Sequence, residues 1–292
     1  MCPPFLMPHN FHPMAKLQLQ DCGLFYSIEG EGIPLTLIHG VGGDHELWRG
    51  VIASLGEGYR ILTMDIRGHG QSSKPKGPYS LELFRDDLRA LLDHVGFDKT
   101  HLAGFSLGGL ISQKFAIDEG ERLLSVAIIS AIAGRTEEDF KQVQQRAALL
   151  RQQGAHSHLV NAVDRWFTDE FRANHPEVME WRRNKSLQND PDAYAAAYQV
   201  FAENDLVDQL SRVTVPTLAI TGEHDVGSPP RMSEVIANRV QNGRVTILPK
   251  LKHAVLLEAP EIIASLISDF IDEVSAREQD QSSSPSDRTS AF

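Results

Sequence analysis

Cysteine is scarce: the 292 residues hold only Cys2 and Cys22. Neither lies in a C-x-x-C or Cys/His ligand spacing, so neither a disulfide framework nor a thiolate metal or redox centre is expected. Basic residues are also in short supply, with 28 Lys and Arg against 39 Asp and Glu, a formal net charge of −11. Phosphate backbones are bound through basic footprints, so no nucleic-acid partner is expected. An acidic chain repels anions at long range, and an anionic ligand would need a local Arg or Lys to overcome that field. No stretch reaches the ~20 apolar residues of a membrane span, so no membrane partner is expected either. Residues 1–14 contain Pro3, Pro4, Pro8 and Pro13 and lack a basic segment followed by a long apolar run. They do not read as a secretory leader, and a cytoplasmic setting is the default expectation.

What is present is an ordinary globular composition, 41% apolar and 23% charged. At ~150 residues per domain as a soft guide, the length suits one large core with an insertion. Short apolar, β-branched runs at 35–39, 60–65, 100–104, 124–130, 215–222 and 244–248 alternate with longer amphipathic segments. Together with a pair of strands at 16–28, this is the pattern of a mostly parallel, eight-stranded sheet with helices on both faces. Between Tyr79 and Gly96 the apolar positions Leu81, Phe84, Leu88, Leu91, Leu92 and Val95 recur at spacings of three and four, which predicts a helix with one buried face. Residues 16–28 read as an antiparallel edge pair ahead of the parallel set, turned by Gly30 and Gly32. From 134 to 208 the strand signal vanishes and Ala, Gln, Arg and aromatics recur at helical spacing, which predicts a helical cap inserted after the sixth strand. The expected organisation is an N-terminal extension at 1–15, a core at 16–133 and 209–275, the cap at 134–208, and a Ser-, Asp- and Gln-rich disordered tail at 276–292.

The chemistry gathers in four places. Gly104-Phe105-Ser106-Leu107-Gly108 follows an apolar strand and opens a helix, the setting of a nucleophile elbow, G-x-S-x-G. His39-Gly40-Val41-Gly42-Gly43 follows another strand, where the N–H of Val41 would join that of Leu107 in an oxyanion hole. A serine hydroxyl needs a base. His253 lies past the last strand and before the closing helix, in the chain order Ser, Asp, His. Thr221-Gly222-Glu223-His224-Asp225 ends the preceding strand. Asp225 is the expected acid, with Glu223 its neighbour in competition and a turn-capping Asp the plainer alternative. The run Asp65-Ile66-Arg67-Gly68-His69-Gly70-Gln71-Ser72 is read as a structural turn.

These motifs, in this order along residues 35–271, resemble the α/β-hydrolase superfamily. Within it the chain is similar to 3-oxoadipate enol-lactonases, on His39-Gly40-Val41-Gly42-Gly43-Asp44 with Trp48, Gly104-Phe105-Ser106-Leu107-Gly108-Gly109, Gly222-Glu223-His224-Asp225 with Pro229-Pro230, and Trp166-Phe167-Thr168 and Tyr194-Ala195-Ala196-Ala197-Tyr198 in the cap. One departure is Ser130-Ala131-Ile132-Ala133-Gly134-Arg135, where those lactonases tend to have an Asn-Thr pair; the basic position is kept as Arg135. The resemblance implies a cofactor-free serine hydrolase opening an ester or lactone, with a small carboxylate-bearing enol-lactone as the first substrate guess. Carbon–carbon bond hydrolysis of ring-cleavage products and general carboxylesterase activity are the enzymatic alternatives. A ligand receptor that keeps the triad is the non-enzymatic one.

Arg135 opens the cap and is read either as a bidentate partner for a substrate carboxylate or as an exposed arginine over a helix end. Trp48, Phe105, Trp166, Phe167, Tyr194 and Tyr198 are candidates for an apolar wall. His156 and His158 would not share a helix face and have no companion ligands in sequence, so no metal is assigned. The expected partner is a small-molecule substrate, an anion among the candidates, bound by a monomer or homodimer.

Overall fold

The computed structural model describes residues 14–283. Eight strands form one sheet in the order β1-β2-β4-β3-β5-β6-β7-β8. They are β1 (Met14–Gln18), β2 (Gly23–Glu29), β3 (Ile33–Ile38), β4 (Tyr59–Met64), β5 (Thr100–Phe105), β6 (Leu123–Ile129), β7 (Thr217–Gly222) and β8 (Gly243–Leu248). β1 and β2 pair antiparallel and β2 joins β4 antiparallel, while β3 to β8 run parallel. The central strand β5 is buried at every position because helices cover both sheet faces, which is why its sequence is a continuous run instead of an alternation.

Helices α1 (Arg49–Leu55), α9 (Val255–Glu258) and α10 (Pro260–Ser283) cover one face. Helices α2 (Leu81–Val95), α3 (Leu107–Asp118) and α8 (Pro230–Arg239) cover the other. In α2 the predicted stripe is the buried one, with Leu81, Phe84, Leu88, Leu91 and Leu92 all inside. Its ends are set locally: Ser80 accepts from the Leu83 N–H, and Gly96 ends the helix at φ 73, a left-handed conformation that glycine adopts without penalty.

Between β6 and β7 the cap consists of α4 (Glu137–Trp166), kinked at Gly154, α5 (Asp169–Asn174), α6 (Pro176–Leu187) and α7 (Pro191–Glu203). Its base is closed by Asp205, whose carboxylate accepts from the backbone N–H groups of Gly134 (3.0 Å) and Arg135 (2.8 Å). Its far side is tied to the core where Ala254 N–H donates to Trp166 O (2.9 Å) and Thr168 donates to Glu258 through both its N–H and its hydroxyl.

Two expectations about the ends change. The disordered tail expected at 276–292 is helical through Ser283 as the last turns of α10. Residues 276–279, Ala-Arg-Glu-Gln, are good helix formers, and extending an existing helix costs far less than nucleating one. β1 takes in Met14 and Ala15, which had been counted with the extension. Residues 1–13 and 284–292, and with them the rest of both terminal expectations, lie outside the described residues, as do the side chains of His156 and His158.

Candidate active site

Parallel strands present their C-terminal ends on one edge, where open α/β sheets place their ligands. Here β3 and β5 are neighbours, as are β7 and β8. The sheet order therefore sets the His39–Gly43 loop beside Ser106, and the Asp225 turn beside the loop carrying His253.

Ser106 follows β5 directly and has φ 55, ψ −114, a strained conformation for a residue with a side chain. The turn is tight enough to require both flanking glycines. A Cβ on Gly104 would lie 2.2 Å from Gly108 O, and one on Gly108 would lie 2.3 Å from Ile38 O. Ser106 N–H donates to Ile129 O (2.8 Å) and Ser106 O accepts from Leu110 N–H (3.1 Å). The N–H of Leu107 falls in the first turn of α3, where no intrahelical acceptor exists for it.

The second loop is a turn in which Gly43 N–H donates to Gly40 O (3.1 Å), with Gly42 left-handed at φ 70. His39 fixes its orientation. Ile66 N–H donates to His39 Nε2 (3.1 Å), so the ring proton resides on Nδ1, which donates to Gly40 O (2.8 Å). His39 is fully buried, and burial lowers its pKa, keeping it neutral. In a planar trans peptide the C=O of Gly40 and the N–H of Val41 point opposite ways. Two donors on Gly40 O therefore fix the plane of the Gly40–Val41 peptide, and Val41 lines the cavity.

Asp225 is buried, with its side chain 0% exposed. Oδ1 accepts from the N–H groups of Gly227 (2.8 Å) and Ser228 (3.0 Å), and Oδ2 accepts from His253 Nδ1 (2.7 Å). Glu223 is instead exposed, with Oε2 accepting from Lys250 N–H (2.8 Å). The His253 loop folds back over the end of β7: a Cβ on Gly222 would lie 2.2 Å from Lys252 O. Across the end of β6, Ser130 Oγ donates to His253 O (3.5 Å). This return path carries the imidazole from β8 toward β5, where its ring packs 5.1 Å from Phe105 and 6.1 Å from Trp166.

Ser106 and His253 open into one cavity of about 920 Å³, counting its mouth, beneath the cap. Val41, Phe105, Trp166 and Tyr198 line it as expected, and so do Phe167 and Tyr194. Trp48 does not: it is 0% exposed and packs in the core with Val51, Phe105 and Val255, because it closes a short 3-10 turn at the start of α1, in which its neighbour Leu47 is the residue that packs against the cap. Arg135 is also absent from the cavity wall. Its Nη1 donates to Asn204 O (3.0 Å) and its guanidinium lies 4.7 Å from the Phe201 ring, while burial lowers its pKa to about 10. Asp205 pins the backbone at Gly134 and Arg135 to the foot of α7, which turns the side chain into the cap base.

The cationic residues that do line the cavity are Arg146, Arg165 and Arg182. They sit on α4 and α6, and linear sequence offered no signal to separate them from other cap arginines. Arg146 Nε is buried with no hydrogen-bond partner among the described residues.

The 65–72 turn underlies the site. Asp65 Oδ1 accepts from His45 N–H (2.7 Å) and His45 Nδ1 (2.8 Å), and Oδ2 accepts from Gln71 N–H (2.7 Å). The His45 contacts and the Ile66–His39 bond tie this turn to the His39–Gly43 loop and give it a structural role.

Comparison with known proteins agrees with this architecture. Residues 33–260 match the alpha/beta hydrolase fold family. A 3-oxoadipate enol-lactonase of Acinetobacter baylyi is 31% identical over 253 residues, covering 86% of this chain and 94% of that protein. From the same organism, (E)-2-((N-methylformamido)methylene)succinate hydrolase is 30% identical, covering 81% of this chain and 89% of its own length. The crystal structure of the enol-lactonase from Burkholderia xenovorans superposes with a TM-score of 0.81 at 26% identity, covering 88% of this chain and 100% of that one. With its sheet order, its strained serine turn and these relatives, the chain belongs to the α/β-hydrolase fold family of hydrolases and is similar within it to the 3-oxoadipate enol-lactonases.

Proposed function

We propose that the protein is a cofactor-free serine hydrolase that opens a small ester or lactone through an acyl-enzyme. The observation that carries this reading is the Asp225–His253 bond of 2.7 Å at a cavity whose wall also contains Ser106. Asp225 accepts from Nδ1, which leaves Nε2 as the free base. In the proposed cycle, His253 Nε2 takes the Ser106 proton as Oγ attacks the carbonyl carbon. The N–H groups of Val41 and Leu107 hold the oxyanion, and His253 returns the proton to the leaving oxygen. Water, deprotonated by the same nitrogen, then attacks the acyl-enzyme, and release of the acid restores Ser106. Each oxyanion donor contributes about 3 kcal/mol to such transition states.

The proposed substrate carries a carboxylate. The names of both Acinetobacter relatives specify acidic compounds, an oxoadipate enol-lactone and a succinate. The cavity wall offers Arg146 and Arg165 on α4 as cationic partners, in an otherwise acidic chain of net charge −11. A carboxylate at Arg146 would satisfy its orphaned Nε. The working setting is proposed to be cytoplasmic; among the described residues no helix is long and apolar enough to cross a membrane.

The test is labelling by a fluorophosphonate together with hydrolysis of a panel of enol-lactones, neutral esters and diketones. Wild-type protein should label once per chain and favour the anionic lactones, and Ser106→Ala should do neither. Folded wild-type protein that neither labels nor turns over any of the panel would support the receptor alternative. Preference for the diketones would move the assignment to carbon–carbon bond hydrolysis.

A further inference from the structure

Cap helix α6 grips the oxyanion turn at a different carbonyl from the one His39 holds. Arg182 Nη2 donates to Gly42 O at 3.0 Å, and Asn189 Nδ2, just past the end of α6, donates to the same oxygen at 3.3 Å. One turn from Arg182, Lys185 Nζ pairs with Asp44 Oδ2 at 2.9 Å and also with Glu46. Arg182 is only 4% exposed, yet its hydrogen bonds go to neutral acceptors, Gly42 O and Ser186 Oγ (3.2 Å). Its guanidinium faces the Trp166 ring at 5.4 Å. Burial lowers the pKa of Arg182, and the nearby Asp44 carboxylate offsets this only in part. Its strongest acceptor is a backbone carbonyl of the turn.

Gly42 and Gly43 also border a polar surface recess, which Arg182, Lys185 and Asn189 line. Gly42 carries no side chain to fix its own peptide, so the orientation of that peptide rests on the bonds its carbonyl accepts. His39 holds the first peptide of the turn through Gly40 O, and α6 holds the last through Gly42 O. Val41, whose N–H is the oxyanion donor, lies between these two anchors. Arg182 and Trp166 also line the catalytic cavity, so the clamp reaches the surface that a substrate touches.

We infer that Arg182 is a positioning residue, assisted by Asn189, through which the cap holds the Val41 N–H in its oxyanion-binding orientation. The inference rests on the proposed role of Val41 as an oxyanion donor. Seating of the cap thus governs the rate of the chemical step as well as the choice of substrate.

The experiment measures p-nitrophenyl acetate hydrolysis by wild type, Arg182→Met, Arg182→Lys and Asn189→Ala, with active sites titrated by fluorophosphonate so that kcat is counted per reactive serine. A small misplacement of a catalytic group costs up to about 100-fold. Arg182→Met should therefore lower kcat per titrated site about tenfold or more, with KM for this neutral ester changed less than about twofold. Asn189→Ala should show a smaller loss in the same direction, Arg182→Lys an intermediate one, and millimolar guanidinium should partly restore Arg182→Met. Unchanged kcat per titrated site in the variants overturns the inference, including where activity falls only because fewer sites titrate, which would be a folding effect. So does a loss confined to KM for anionic substrates, which would make Arg182 an anion-binding residue. Should Arg182→Met fail to fold, Asn189→Ala decides alone, since it keeps the buried charge. Wild-type protein that neither titrates nor turns over would instead remove the hydrolase reading on which the inference stands.

Discussion

Gly40 and Ser106 approach so closely that a Cβ on Gly40 would lie 2.8 Å from the Ser106 Cβ, with Phe105 O at 3.2 Å and Phe105 Cδ1 at 3.3 Å. The two strand ends are adjacent, and only a bare backbone lets the Gly40–Gly43 turn pass over Ser106. Gly40→Ala should push that turn off Ser106 and lower kcat by about 10- to 100-fold, while KM changes little. Kinetics on a neutral ester, with the titrated site count held equal, is the check. Wild-type kcat in this variant would mean that the turn does not contribute a donor.

Asp225 and Glu223 offer a paired comparison. Asp225→Asn preserves size but presents an amide to His253 Nδ1, which favours the wrong imidazole tautomer. Losses of about 10⁴-fold in kcat accompany such a change in serine hydrolases. Glu223→Gln alters an exposed carboxylate that accepts from Lys250 N–H and lies 3.9 Å from His224 Nε2, and it should leave kcat within about twofold, since surface substitutions seldom matter. The reverse ranking would assign the acid to Glu223.

Arg135 and Arg146 should separate stability from recognition. Arg135 is half-buried in the cap base on Asn204 O and the Phe201 ring, so Arg135→Ala should cost about 1.5–3 kcal/mol of stability and lower Tm without raising KM. Arg146→Gln should raise KM for carboxylate-bearing lactones about tenfold, the scale of a charged hydrogen bond, and spare neutral esters. Equal effects of Arg146→Gln on both substrate types would eliminate it as the anion partner.

Acid should destabilise the fold through buried histidines. Burial, with His39 alongside at 5.4 Å between ring centroids, lowers the pKa of His69 to about 3. Below its unfolded value of ~6.5 the unfolded chain takes up a proton that the folded chain refuses, so stability falls as pH drops through ~6.5 and levels off near 3. For His69 alone this amounts to about 2 kcal/mol between about pH 8 and about pH 5, and His39, lowered in the same direction, adds to it. Urea midpoints at the two pH values, compared with His69→Gln, measure the effect. The variant should lose less stability on acidification than wild type, and parallel losses would exclude His69 as a source.

The sheet was legible because its periodicity is local. Each central strand is a short apolar run, and the α2 stripe with its Ser80 and Gly96 ends follows from neighbouring residues alone. Trp48 and Arg135 were misread for the opposite reason. An aromatic near a glycine loop and an arginine at the start of a cap look like pocket residues in one dimension. Trp48 faces the core through the geometry of a 3-10 turn, and the fate of Arg135 was set by Asp205, 70 positions away. Residues 276–283 were read as tail from composition, whereas they extend a helix already nucleated by its packed part.

By itself the sequence determined the order of strands and helices, the strained turn at Ser106, and the identity of the glycines that allow it, because these depend on backbone sterics within a few residues. The strand order 4-3-5-6-7-8 and the return of the His253 loop over Gly222 arise only in the folded chain. So does the choice of Arg146, Arg165 and Arg182 for the cavity wall. Direction and distance between segments some 40 to 150 residues apart are fixed by packing the cap against the core, and no local pattern encodes them.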